Sequence, residues 1–371
     1  MITAEVVTAE DIKPFRAGRH QGRANRWEAS MRHTSSKIRR RLSAICSSSL
    51  VHALAVVGMI GGMPAHASSF PTRNITIVVP FAAGGAADTT ARIMADAMSK
   101  RLGTSITVEN IGGAGGAIGT IRVKASDPTG YTIGLGHMGT LAAAVPINRK
   151  LGYNPRTDFE YLGLVSVSPN VVYVRKGFPA NDLQEFILYA RKNGSKLTMG
   201  HGGIGAASHV TCVMLFQLIG VEPTLVAYRG FGQTVNDLLG GTIDGGCDLL
   251  ASVSAQAQSG NLRVLAVAAD ERSLVLPNAP TSTEAGLAAF KTSTWTGLFV
   301  PAGTPAPVVE TLRGAVLDAL SDAAVQKRLA DIGAEAPKPE QRGGPYMKRL
   351  VDDEVARWTA ILTKANIELR D

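Results

Sequence analysis

From Asn74 onward, short runs of β-branched residues alternate with stretches whose apolar residues recur at helical spacing. Ile75-Thr76-Ile77-Val78-Val79 reads as a strand, and Asp88 to Arg101 as a helix with Ala91, Met94, Ala95 and Met98 on its apolar face. Further strands are expected at 106–108, 131–133, 161–165, 171–174, 197–199, 224–227, 246–249, 264–268 and 295–300, with helices at 181–192, 208–219 and 233–239. Thr304 as N-cap with Pro305 at the first helical position opens a helix to Leu320. Val351, Val355, Trp358 and Leu362 form one buried stripe on the last helix. This alternation predicts an α/β protein with mostly parallel sheets, and no internal repeat or low-complexity tract breaks it.

A chain of 371 residues, 45% hydrophobic and 18% charged, is an ordinary globular chain long enough for two domains. Its net charge of +8 invites a nucleic-acid reading that the placement of the charges removes. Residues 1–67 carry ten Lys and Arg against four Asp and Glu, leaving 28 against 26 for the remainder, so no nucleic-acid partner is expected. The basic leader has secretory order: Arg32, Lys37 and Arg39 to Arg41, an apolar stretch from Leu50 to Met63, then Pro64-Ala65-His66-Ala67 with small residues at the cleavage positions. A cut after Ala67 and an initiator at Met31 are expected, and with them export to the periplasm. The apolar stretch is shorter than the roughly 20 residues that span a bilayer. Of the three cysteines, Cys212 and Cys247 follow the leader; one lies in an apolar helical run and the other beside a buried strand, so they are read as two separate core thiols.

Two strand-loop-helix units hold the candidate chemistry. In the first, Pro80-Phe81-Ala82-Ala83-Gly84-Gly85-Ala86-Ala87-Asp88 follows a strand, where ligands of open α/β sheets sit. Its small residues let backbone N–H groups approach a ligand, and the helix behind favours an anion, with Asp88 also suited to the N-cap. The second, Met199 to His209, repeats the design, with Ser208 placed to cap the next helix. It contains a G-x-G-x-x-G at Gly200, Gly202 and Gly205, but Glu222 precedes the following strand instead of ending it, so the dinucleotide reading fails. G-x-x-x-x-G-K-[ST], G-x-S-x-G, H-E-x-x-H and C-x-x-C are absent, and His137, His201 and His209 lack metal-ligand spacing. Neither catalysis nor a cofactor or metal is expected; a small carboxylate held between two helix N-termini is.

With these loops in view, the chain resembles the Bug-type extracytoplasmic solute-binding receptors of tripartite tricarboxylate transporters over nearly all of residues 70–371. The resemblance rests on motifs in order: the Pro80 to Asp88 loop with Arg92, Val108-Glu109-Asn110, Gly113 to Gly116 with Gly119, Gly130-Tyr131-Thr132, Gly202 to His209, Tyr228-Arg229-Gly230, Asp237 to Gly241, Asp244, Arg272, Leu276-Pro277, Pro280-Thr281, Glu284-Ala285-Gly286, Trp295 and Pro301 to Pro305. It implies a two-lobed periplasmic binding protein, a flytrap with the ligand cleft between lobes. Residues 68–169 with 293–371 would form one lobe and 170–292 the other. It implies first-lobe contacts at Phe81, Gly84, Gly85, Ala86 and Asp88, second-lobe contacts at Gly203, Ser208 and Tyr228, and further candidates in Gly139 and Thr140. The ligand would be a di- or tricarboxylate or an aromatic acid, and the partners integral-membrane transporter subunits, with the receptor a monomer. Ala227-Tyr228-Arg229-Gly230 stands where the family has Pro-Tyr-Lys-Gly and borders the expected pocket, while Thr129 departs from the family away from it. The rival readings are a receptor presenting its ligand to a membrane sensor and a secreted enzyme using the glycine-rich loops.

Overall fold

The structure is a computed structural model and describes residues 70–364, the side chains of 361–364 excepted. The expected signal peptide, the cut after Ala67, the start at Met31 and the side chain of Leu362 lie outside the described residues. In chain order the elements are β1 (Ile75–Val79), α1 (Ala86–Leu102), β2 (Ile106–Asn110), α2 (Ala117–Lys124), β3 (Thr132–His137), α3 (Ala144–Ile147) and β4 (Phe159–Arg175). Then come α4 (Leu183–Asn193), β5 (Thr198–His201), α5 (Ala207–Ile219), β6 (Thr224–Ala227), α6 (Phe231–Leu239), β7 (Gly245–Leu249), α7 (Leu250–Gln258) and β8 (Leu262–Val267). β9 (Ser293–Pro301), α8 (Ala306–Ser321), α9 (Ala323–Asp331) and α10 (Gly344–Lys364) complete the chain.

The strands run in the order β2-β1-β3-β9-β4-β7-β5-β6, with β8 added to β4. β1 is parallel to β2 and β3, and β5 to β6 and β7, so each end of the sheet is a three-strand parallel unit. Between them every pairing is antiparallel: β3 with β9, and β4 with β9, β7 and β8. The expectation of mostly parallel sheets is corrected on this point, because the two units are joined by strands that cross between them. Ile75, Ile77, Val78 and Val79 are all buried, the pattern of a strand covered on both faces.

β4 replaces the two separate strands expected at 161–165 and 171–174. It pairs with β9 as far as Pro169, opposite Ser293, and with β7 and β8 from Asn170 and Val171 onward. Pro169 reads as a breaker in sequence, yet a residue without an N–H is tolerated where a strand changes partners. Asn170 is fully buried and binds the crossing segments together. Its N–H donates to the Thr292 carbonyl at 3.0 Å, its carbonyl accepts from Ala268 N–H at 2.8 Å, and its side-chain oxygen accepts from Thr294 Oγ1 at 3.0 Å. The result is a two-lobed fold. One core gathers β1, β3, α1, α8 and α10, including Val351, Val355 and Trp358, and two smaller ones flank the sheet between β4 and Phe290.

Other corrections are local. The helix after Pro305 has Pro305 as its N-cap, and Thr304 Oγ1 turns back to the Pro301 carbonyl at 2.8 Å. α7 and α9 lack a clear apolar period in sequence and were not expected as helices. Cys212 and Cys247 are joined in a disulfide with Cα atoms 5.4 Å apart, not separate thiols. α5 packs on β7, so two positions 35 residues apart face each other for a tertiary reason that no local pattern carries.

Candidate functional site

The parallel strands β1, β3, β5 and β7 all point their carboxyl ends at one place, the position at which doubly wound sheets bind ligands. There a cavity of ≈ 40 Å³ lies between the lobes, walled by the β1–α1 loop, His137, the β5–α5 loop, the start of α6 and the β7–α7 junction. That is room for about three water molecules, so an organic acid enters only when the lobes part. The N-cap residues of α1, α5, α6 and α7, namely Gly85, Ala206, Gly230 and Leu249, all line this cavity, and none of them caps its helix with its own side chain, although Ser252 Oγ accepts from Ala86 N–H of α1 at 3.1 Å and Ser168 Oγ from Ala251 N–H of α7 at 3.2 Å. Each end contributes roughly half a positive charge and unsatisfied N–H donors. Four of them on one small volume form a strongly anion-favouring site.

The polar side chains at the wall fit an anion. His137 stacks on Phe81 with ring centroids 4.8 Å apart, and its Nδ1 accepts from the N–H of Gly139 at 3.0 Å. An accepting Nδ1 leaves the proton on Nε2, and burial pushes the imidazole down to about 4, so His137 is a neutral donor. His201, at the end of β5 and behind the wall, repeats the device without lining the cavity, with Nδ1 accepting from Gly203 N–H at 3.1 Å and burial bringing it down to about 4. Ser208 Oγ accepts from Gly202 N–H at 2.9 Å and keeps its own proton to donate. The exception is Asp248 at the end of β7, a carboxyl that burial pushes up to about 6 against the opposing bonds from Leu249 N–H and the Ser252 hydroxyl. Among the described residues no group of three or more His, Cys, Asp and Glu is placed to hold a metal.

Of the residues expected from sequence, Phe81, Gly85, Ala86 and Ser208 line the cavity. Ser208 lies inside α5, whose N-cap is Ala206, and so does not cap it. Gly84 and Asp88 stand just behind the wall. Asp88 is inside the first turn of α1, not at its N-cap, and its carboxylate accepts from Gly84 N–H at 3.1 Å and pairs with Arg92 at 2.9 Å. Burial pulls Asp88 upward, but the bonds from Arg92, Gly84 and Asn110 outweigh it and hold the carboxyl below its ordinary value. Gly139 and Thr140 support His137 from behind, Thr140 Oγ1 accepting from His137 N–H at 3.1 Å. Gly203 and Tyr228 line a separate outer chamber of ≈ 590 Å³ with Gly115, Ile118, Ile204 and Arg229. The Tyr228 hydroxyl is 2.6 Å from the Asp237 carboxylate. His137, Phe231, Asp248 and Ser252 were missed; applying the carboxyl-end rule to β3 and β7 as well as β1 and β5 would have pointed to His137 and Asp248.

Asp88 fastens the loop instead of facing the cavity, which fixes the outcome of its removal. Asp88→Ala is expected to cost roughly 1–2 kcal/mol of stability at neutral pH and to weaken all acids equally. Because the folded state holds this carboxyl below its unfolded value near 3.9, its contribution is complete above that pH and disappears as pH falls through the lower folded value. Urea unfolding at pH 7 and at pH 3 checks this: the gap between wild type and Asp88→Ala should narrow at the lower pH.

The lobes meet around the cavity through main chain. Ala82 N–H donates to the Arg229 carbonyl at 3.0 Å, and Ala86 N–H to Ser252 Oγ at 3.1 Å. A Cβ on Gly115 would stand 2.0 Å from the Ile204 carbonyl oxygen, so only glycine allows that approach, and its φ of +64° also favours glycine. Two lobes joined by crossing strands, closed on an anion-favouring cleft, define a periplasmic solute-binding protein. The family model described as tripartite tricarboxylate transporter family receptor matches residues 90–367, and the chain belongs to that family. Among solved structures, MatC (Rpa3494) of Rhodopseudomonas palustris with bound malate is 41% identical, with a TM-score of 0.76 over 79% of this chain and 100% of that one. The periplasmic binding protein BugD is 38% identical, with a TM-score of 0.78 over 81% and 99%. Rpa4515 of R. palustris with adipate is 32% identical, with a TM-score of 0.75 over 80% and 98%.

Proposed function

We propose that this protein captures a small carboxylate, a di- or tricarboxylate or an aromatic acid, in the periplasm and delivers it to integral-membrane transporter subunits without catalysing a reaction. The observation that carries this reading is the convergence of four helix N-termini on one cavity. The malate and adipate of the two R. palustris relatives belong to the same ligand class. In this reading Phe81, Gly85, Ala86 and Ser208 touch the ligand together with His137; Gly84, Asp88, Gly139 and Thr140 hold that wall in place; Gly203 and Tyr228 belong to the outer closure. The lobes divide at 169/170 and 292/293, where β4 and β9 cross, and the receptor works as a monomer exported by a leader cut after Ala67.

Thermal unfolding of residues 68–371, refolded to strip carried-over ligand, tests this against malate, succinate, adipate, citrate and benzoate. An acid at about 100 times its Kd adds roughly 2.7 kcal/mol, or roughly 4–8 °C for a protein of this size. No shift from any acid across the panel would overturn the reading.

A further inference from the structure

Asp248 is the one wall group whose charge opposes the cleft's purpose. It ends β7, lies 7% exposed, and faces the cavity beside Ser252 and Phe231. Its Oδ1 accepts from Leu249 N–H at 2.7 Å, and no lysine or arginine pairs with it among the described residues. Ser252, beside it on the wall, reaches across the cleft: its Oγ accepts from Ala86 N–H, the first residue of α1, at 3.1 Å. A ligand carboxylate drawn to the α1 terminus is therefore brought close to a second carboxyl at the same buried wall. Two carboxylates so placed cannot both stay ionised.

Resting on the carboxylate reading above, we propose that Asp248 takes up a proton as the ligand binds and donates a hydrogen bond to it, so that the cleft captures an acid and a proton together. One proton passes from solvent to the Asp248 carboxylate, and no covalent bond within the ligand changes. The surrounding groups do not supply this proton. His137 and His201 are pushed by burial down to about 4 and stay neutral. The phenol of Tyr173 on β4 is pushed up by burial and by Asp248 itself, and that of Tyr228 by burial and Asp237. Asp88 is tied to Arg92, while α6 and β9 present Phe231 and Thr296, which carry no charge. His209, in the first turn of α5, is the remaining titratable neighbour and is tested separately.

The affinity of the refolded protein for the same five acids, measured by calorimetry from pH 5.5 to 8.5, decides the matter. With Asp248 starting near 6, affinity should fall roughly 50-fold between pH 6 and pH 8, and about one proton should be taken up per ligand at pH 7.5 in buffers of different ionisation enthalpy. Asp248→Asn, which imitates the protonated acid, should bind with no such slope and more tightly than wild type at pH 8, while His209→Gln should keep the slope. Binding that is flat with pH in the wild type, or a slope that survives in Asp248→Asn, overturns the proposal and leaves the carboxylate reading intact. Weaker binding by Asp248→Asn at every pH also overturns it, making Asp248 an acceptor for a ligand hydroxyl or ammonium group. No binding by any acid at any pH overturns both.

Discussion

Gly232→Ala should weaken ligand binding roughly 10- to 100-fold while leaving the ligand-free protein at least as stable as wild type. Gly232 is the second residue of α6 and has an ordinary helical backbone, so alanine fits its own helix and raises stability by roughly 0.5–1 kcal/mol. The same methyl group would stand 2.4 Å from the Ala83 carbonyl oxygen across the cleft, closer than carbon and oxygen approach without repulsion. Because the neighbour is backbone and not a rotatable side chain, the closed state must shift, at about 1–3 kcal/mol, and about 1.4 kcal/mol is tenfold in affinity. Ligand favours the closed state only by its differential affinity, so this cost reads directly as lost binding. Gly314→Ala in α8, where a Cβ meets nothing within 4 Å, is the matched control: a similar gain in stability with unchanged affinity. Calorimetric titration with the tightest acid checks both, and a Kd for Gly232→Ala within threefold of wild type would mean the β1–α1 loop moves aside and closure does not depend on this contact.

The loops that build the site were legible in different degrees for physical reasons. The β1–α1 and β5–α5 loops declared themselves because a run of glycine and alanine between a β-branched strand and a helical period has few uses other than a close backbone approach. The strands and most helices followed from periodicity alone. β4 did not, because Pro169 marks a break locally while the hydrogen bonding of the strand is decided by its neighbours β7, β8 and β9. Asp248 and Ser252 escaped for a related reason: β7 runs into α7 with no glycine between them, so nothing in Cys247-Asp248-Leu249-Leu250 distinguishes a ligand wall from an ordinary turn. Their importance arises from Ala86, 166 residues away from Ser252, and only closure of the lobes brings the two together. Position along the sequence carries local structure well and cross-cleft chemistry poorly.

Removing the Cys212–Cys247 bridge should lower stability by roughly 3–4 kcal/mol, through the chain entropy returned to the unfolded state when a loop of this length is released. For a protein of this size that is roughly 6–8 °C in Tm. Both sulfurs lie in the core between α4, α5 and β7, and neither is part of the large core around β1 and α8. The loss should therefore fall on the second lobe, and a calorimetric trace of Cys212→Ala/Cys247→Ala should show that lobe's transition moving ahead of the other's and the single peak broadening. The bridge also has a place in the site. Cys247 immediately precedes Asp248, and Cys212 is one turn along α5 from Ser208, so the disulfide fixes the spacing between two walls of the cavity. Affinity should fall in the double variant, but by less than in Gly232→Ala, because the walls loosen without being held apart. Scanning calorimetry of wild type with and without reductant, beside the alanine pair, tests the argument. A Tm unchanged within about 1 °C on full reduction would show that the second lobe's packing alone fixes α5 against β7.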